Sequence, residues 1–202
     1  LNITSSQELP RDKTYGLKYF KDIHTWLISQ GPWRATFTGY DAEYKIKGTH
    51  PMGGALSMLW HTQAGPVFAA TMNQYQLIEA PNNRKYIMGG TPRIEFMQNG
   101  TIYSNLDDLN TDIICDTEKN GYRFTVNTHL VDINQNAPAQ GEIPVTIYYT
   151  YTRQGLEINV ENCYDATYLM LPVIASPAEE VKVTPQKASI NKDGGTLSIT
   201  CT

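Results

Sequence analysis

The sequence predicts an all-β protein: a large two-sheet antiparallel sandwich, of the supersandwich kind, with one N-terminal α-helix. Three observations point that way. From Trp33 onward nearly every segment alternates apolar and polar residues at period two. Three short polar turns, Gln98-Asn99-Gly100, Lys119-Asn120-Gly121 and Arg153-Gln154-Gly155, each separate two such segments. The composition is rich in hydroxyls and rings, with thirteen tyrosines against five phenylalanines and 18% charged residues, where about 25% is usual.

The elements follow in chain order. Leu17, Phe20, Ile23, Leu27 and Ile28 share a face at helical spacing, so a helix is expected over Asp12 to Gln30. Asp12 or Thr14 can cap it, and Gly31-Pro32 can end it. Strands are expected at Arg34–Asp41, Ala55–Thr62 and Val67–Ile78, the last two joined at Gly65-Pro66. Further strands are expected at Arg93–Met97, Thr101–Ser104, Ile113–Asp116, Tyr122–Asp132, Val145–Thr152 and Leu156–Glu161. Tyr168–Ile174, Val181–Thr184 and Thr196–Cys201 close the chain. Local hairpins imply antiparallel pairing, and this many strands implies two stacked sheets. The expected division is a helical lead-in over 1–32 and a sandwich over 33–176. Residues 177–202 are read as closing strands of that sandwich or the start of a small immunoglobulin-like module. A chain of 202 residues opening on Leu1 is expected to be a domain of a longer protein.

Composition narrows function. The net charge is −4 and the basic residues are scattered singly, so nucleic acid, which needs a clustered basic face, is not an expected partner. No apolar run approaches the roughly 18 residues of a membrane span. The three cysteines, Cys115, Cys163 and Cys201, lie far apart and lack metal or redox spacing. No cofactor motif is evident, although a divalent metal would be compatible with the histidines.

Candidate residues come from strand parity. On Tyr122–Asp132, Arg123, Thr125, Asn127 and His129 share one face, opposite Phe124, Val126, Thr128 and Leu130. On Val145–Thr152, Thr146, Tyr148, Thr150 and Thr152 oppose Val145, Ile147, Tyr149 and Tyr151. If these strands pair, Arg123, Asn127, His129 and Tyr148 make one hydroxylated face, suited to a polysaccharide or oligosaccharide. His50 and His61 lie beside turns at strand ends, where an imidazole can serve as acid, base or ligand. Period-two counting puts His61 on the side of Ser57 and Leu59, and Trp60 on the side of Leu56 and Met58.

Three stretches stand in a distinctive order: Gly31-Pro32-Trp33-Arg34-Ala35-Thr36-Phe37-Thr38-Gly39-Tyr40-Asp41, then Met52 to His61, then Gly65-Pro66-Val67-Phe68-Ala69-Ala70. This order resembles the C-terminal β-sheet region of heparinase II/III-like polysaccharide lyases. The resemblance implies a preceding helical toroid, absent from this chain, whose last helix would be Asp12–Gln30. It implies β-elimination on uronic-acid-containing glycan in a cleft between toroid and sandwich. Under it His50 and His61 are the catalytic nominees, the isolated chain is inactive, and the protein is secreted, periplasmic or at the cell surface. Two other readings stay open: a non-catalytic carbohydrate-binding or adhesive sandwich, and a mutarotase-like sugar epimerase, which needs a His/Glu pair in its cleft.

Overall fold

The computed structural model describes residues 12–39, 52–71, 90–161 and 164–202. Fifteen strands are formed among them, every pairing is antiparallel, and helical structure is limited to short 3₁₀ turns. A five-stranded sheet runs in sequence order through β1 (Tyr15–Phe20), β2 (Thr25–Gln30), β3 (Trp33–Thr38), β4 (Ala55–His61) and β5 (Gly65–Ala69). After it come β6 (Arg93–Gln98), β7 (Thr101–Ser104), β8 (Asp112–Glu118), β9 (Gly121–His129), β10 (Pro144–Thr152) and β11 (Leu156–Glu161). The chain ends in β12 (Thr167–Met170), β13 (Glu180–Val183), β14 (Lys187–Lys192) and β15 (Gly195–Thr200). The second sheet has the order β11-β10-β9-β8. Two three-stranded sheets, β12-β6-β7 and β13-β14-β15, complete the set formed by the described residues.

The expected sandwich is present, and the expected helix is not. Residues 15–30 form a hairpin instead, with Leu17 opposite Ile28 and Tyr19 opposite Trp26. The reason lies in what the strand can bury. In β2, Trp26, Ile28 and Gln30 point inward at period two, whereas Leu17, Ile23 and Leu27 of the supposed helical stripe are exposed. A helix would have buried the stripe and turned the Trp26 ring away from the core. The segment also carries Tyr, Thr, Trp and Ile, which suit a pleated, half-buried surface. The β1–β2 turn is a short 3₁₀ segment closed by His24 in the left-handed region, at φ 46°.

The two larger sheets stack face to face. Phe37 of β3 lies on Phe124 of β9, ring centroids 4.5 Å apart, and tilts against Tyr149 at 4.7 Å. Trp26, Trp33, Ala35, Leu56, Leu59, Val126, Val145, Ile147 and Tyr151 fill the space around them. Ile94 and Phe96 of β6 join the same core, and Leu197 and Ile199 of β15 pack on its margin. Asn105 ties the layers. Its side chain is buried, accepts from Ile94 N at 2.8 Å and donates to Gly53 O at 3.0 Å. Gly53 is required there: φ is +63°, and an added Cβ would stand 1.5 Å from Asn105 O.

Candidate functional site

Two of the sequence-derived faces assemble as expected. β9 and β10 pair with Tyr148 opposite Thr125, Thr146 opposite Asn127 and Thr150 opposite Arg123. Phe124, Val126, Thr128, Val145, Ile147, Tyr149 and Tyr151 all turn inward and are buried. Arg123, Asn127 and Tyr148 are thereby brought together on the outer face of the four-stranded sheet. The Arg123 guanidinium lies 4.6 Å from the centre of the Tyr148 ring. Thr146 Oγ1 donates to Asn127 Oδ1 at 3.1 Å.

His129 sits at the margin of this face. Its Nδ1 stands 3.4 Å from Asp108 Oδ2, a buried carboxylate that also accepts from Thr128 Oγ1 at 2.8 Å and His129 N at 2.7 Å. The histidine is therefore held by a carboxylate whose lone pairs are largely committed to backbone and hydroxyl.

The register adds residues that parity on single strands did not reveal. Glu161 of β11 lies opposite Thr146, and its Oε2 accepts from the Tyr148 hydroxyl at 3.0 Å. This bond, followed by desolvation and the Glu161 charge, raises the Tyr148 pKa above its ordinary value, while Arg123 opposes the shift. Tyr148 is thus a hydrogen-bonding phenol rather than a ready phenolate. Asp112, Asp116 and Glu118 of β8 and Glu157 of β11 share the same face by register. Among the described residues this face carries five carboxylates and one guanidinium. Such a face suits recognition of sugar hydroxyls, with a single cation to meet an anionic group among them. Counting residues across the Arg153-Gln154-Gly155 turn would have found Glu161.

His61 is placed differently from expectation. Ser57 is the extra residue of a β-bulge: Thr36 pairs with Met58 and Phe37 with Leu56. Leu56 and Leu59 therefore both face inward, and Met58 and Trp60 both face out. The expected grouping of Trp60 with Leu56 is corrected by this bulge, as is the grouping of His61 with Ser57. Period-two counting cannot see an inserted residue. Ser57 Oγ bonds Thr38 Oγ1 at 2.7 Å.

The His61 ring stands edge-on to Trp33 at 4.6 Å. Its Nδ1 accepts from Gln63 N at 3.3 Å and Ala64 N at 3.1 Å. Two backbone donors on Nδ1 assign the proton to Nε2 and the neutral form to the ring. Burial lowers its pKa, in the same sense. His61 can donate through Nε2, but as held here it is not a base at Nδ1. His50 lies outside the described residues.

Open depressions lie at the turn end of the sandwich. One, lined by Tyr15, Gly31, Pro32, Arg34, Thr62 and Arg153, encloses about 480 Å³. Among the described residues no group of three metal-ligating side chains gathers.

The family described as Ulvan lyase C-terminal domain matches residues 17–202. The chain belongs to this family. A curated relative, the broad-specificity ulvan lyase of Formosa agariphila, is 30% identical over 207 aligned residues. The alignment covers 98% of this chain and 32% of the relative, so the chain spans about a third of that protein's length. No solved structure matches. The expected kinship with a polysaccharide lyase C-terminal domain is therefore right, and the family shown is the ulvan lyase one.

Proposed function

We propose that this chain is the β-sandwich domain of a secreted or periplasmic lyase that cleaves a uronate-containing polysaccharide by β-elimination. In this reading the groups that abstract and return the proton lie mainly in a preceding helical region outside the chain. The observation that carries it is the match over residues 17–202 to a lyase C-terminal family, joined to 30% identity with a named ulvan lyase. The geometry agrees with a supporting role. A β-elimination base must be deprotonated near neutral pH. Tyr148 has a raised pKa and keeps its proton, donating it in a hydrogen bond to Glu161, and His61 has Nδ1 committed to a turn. What His61 could add is a proton donor, Nε2–H, toward a leaving oxygen. The outer face around Arg123, Asn127, His129 and Tyr148 contacts sugar hydroxyls, with Arg123 the one guanidinium available there to a single carboxylate.

The test uses the full-length reading frame beside the 202-residue chain. The full-length protein releases unsaturated product, read by ultraviolet absorbance, from a uronic-acid polysaccharide, and the chain alone releases none. Product from the chain alone overturns the division of labour. In the full-length enzyme Tyr148→Ala raises KM about tenfold with kcat within a factor of two, which marks loss of uniform binding. His61→Ala lowers kcat at least tenfold if Nε2 serves as the acid, about 1.4 kcal/mol of barrier. Unchanged kcat would leave it a turn residue.

A further inference from the structure

The turns at one end of the sandwich build a site that no single strand contains. Two depressions adjoin there, of about 480 Å³ and about 590 Å³, and Tyr15 and Arg153 line both. Volumes of this size accept small organic ligands. The walls are pinned. Gly31 N donates to Thr14 O at 2.7 Å, and Thr62 N donates to Pro32 O at 2.9 Å. Trp33 Nε1 donates to Arg153 O at 3.2 Å, which ties the β10–β11 turn to β3. Gln30 is 4% exposed and lines the larger depression. Its Nε2 donates to Asn120 O at 2.8 Å, while its Oε1 has no hydrogen-bond partner among the described residues. A nearly buried amide oxygen left unpaired in such a place is an acceptor open to a ligand hydroxyl.

Arg153 is held in place without being neutralised. Its stem lies on Gly31, where an added Cβ would stand 3.4 Å from Arg153 Cγ. Its guanidinium lies 5.8 Å from the centre of the half-exposed Tyr15 ring. Neither Arg153 nor Lys119, which lines the larger depression, makes an ion pair among the described residues. The charged groups lining the two depressions are Arg34, Lys119 and Arg153 against Asp12 and Glu118. The outer face of β8–β11 has the opposite balance, so an anionic group is better met at the turn end.

We propose that this turn end is a second glycan site, one that takes a carboxylate-bearing pyranose, an inference that takes its sugar class from the lyase reading. Arg153 meets the carboxylate, the Tyr15 ring meets the apolar face of the sugar, and Gln30 Oε1 accepts from a hydroxyl. A guanidinium offers a carboxylate two parallel N–H groups. Arg34 commits its own to Gly31 O and Trp33 O, both at 2.8 Å, which leaves Arg153 as the directing cation. The turns are fixed by their own hydrogen bonds, so little ordering is needed when the sugar binds.

The experiment titrates the full-length protein with methyl glucuronide and with methyl glucoside. The two differ only in a carboxylate against a hydroxymethyl group, and neither carries a sugar on O4 for β-elimination to release. Occupancy is read as protection of Tyr15 from nitration by tetranitromethane, mapped by mass spectrometry, with the exposed Tyr168 of β12 as internal reference. The glucuronide is expected to protect Tyr15 at about tenfold lower concentration than the glucoside, the margin of a charge-assisted hydrogen bond. Arg153→Met should bring the two ligands within about twofold of each other, with Arg153→Lys between, while the far-ultraviolet spectrum stays unchanged. Equal potency on the unaltered protein overturns the proposal, as does a preference that survives Arg153→Met. Protection of Tyr148 with Tyr15 left reactive would place the sugar on the outer face and overturn it too. So would Tyr15 unreactive before any ligand is added, which closes the depression, and equal protection by acetate, which makes it a site for any small carboxylate. Lyase activity is assayed on the same sample. Protection of Tyr15 in an inactive protein would sink the lyase reading and leave this site standing. An active protein whose Tyr15 stays reactive would do the reverse.

Discussion

At the scale of single residues, the informative ones are those whose polar atoms are either fully committed or left without work. Tyr151 has a buried hydroxyl with no hydrogen-bond partner among the described residues. Burial and the neighbouring Tyr149 push its pKa well above the ordinary phenol value. Tyr151→Phe removes an unsatisfied donor and loses no bond, so denaturant melts are expected to show stability unchanged or raised by up to about 1 kcal/mol. A loss above about 1 kcal/mol would mean the hydroxyl has a partner. The histidines give a pH dependence. Burial lowers the pKa of His61, and burial outweighs Asp112 in lowering that of His24. A lowered folded-state value means the native protein binds fewer protons than the unfolded chain. Their stabilisation is present above the unfolded value near 6.5 and is lost as pH falls through the folded values. The melting temperature should therefore drop between about pH 7 and pH 5. His61→Asn keeps an acceptor for Gln63 N and Ala64 N and should flatten that slope.

At the scale of elements, Asn105 is the most exposed to test, because one side chain joins β6 to the Gly53 loop. Asn105→Ala orphans a buried N–H and a buried C=O, at about 1–3 kcal/mol each. Urea denaturation should show a loss of about 2–4 kcal/mol; a loss under 1 kcal/mol would show that the loop re-pairs. The strands with an uninterrupted period of two could be read from sequence. β9 and β10 carry Phe124, Val126, Val145, Ile147 and Tyr149 in strict alternation, and their pairing followed from the turns flanking them. Three features could not. The β1–β2 hairpin hid behind a chance spacing of Leu17, Phe20, Ile23 and Leu27 that fits a period of 3.6. The β4 bulge shifts parity without a glycine or proline to announce it. β14 carries Lys187, Ser189 and Asn191 on one side and only Ala188 and Ile190 as apolar residues on the other, so it lacks contrast. The candidate glycan face was legible for Arg123, Asn127 and Tyr148, but the acidity around them depends on register with β8 and β11, which no single strand contains.

At the scale of the whole molecule, residues 177–202 are expected to belong to the same cooperative body as the sandwich. Leu197 and Ile199 pack on the central core. Lys192 Nζ donates to Ile174 O at 3.1 Å and pairs with Glu179 Oε2 at 3.2 Å. Ile174 N in turn donates to Val67 O at 2.9 Å. A Cβ at Gly194 would stand 2.7 Å from Gln63 O, so the β14–β15 turn lies directly on the β4–β5 turn. Ending the chain at residue 176 uncovers two or three apolar side chains worth about 1.5–3 kcal/mol each, so the melting temperature should fall by several degrees. An unchanged melt would make the segment an independent module.

The strand order also sets a sequence of events in time. Three of the four sheets formed by the described residues are built from strands that follow one another along the chain, so their pairings are local. β12 is the exception: Thr167 must find Phe96, and Leu169 must find Ile94, on the other side of β7 to β11. Loop-closure entropy makes such a contact a late one. β12 then acts as the fastener of an already assembled body rather than as part of its nucleus. Leu169→Ala should hasten unfolding while leaving the refolding rate nearly untouched, a φ-value near zero in stopped-flow measurements. During synthesis, the hairpins of β1–β5 would already be paired before the strand that locks the small sheet has left the ribosome.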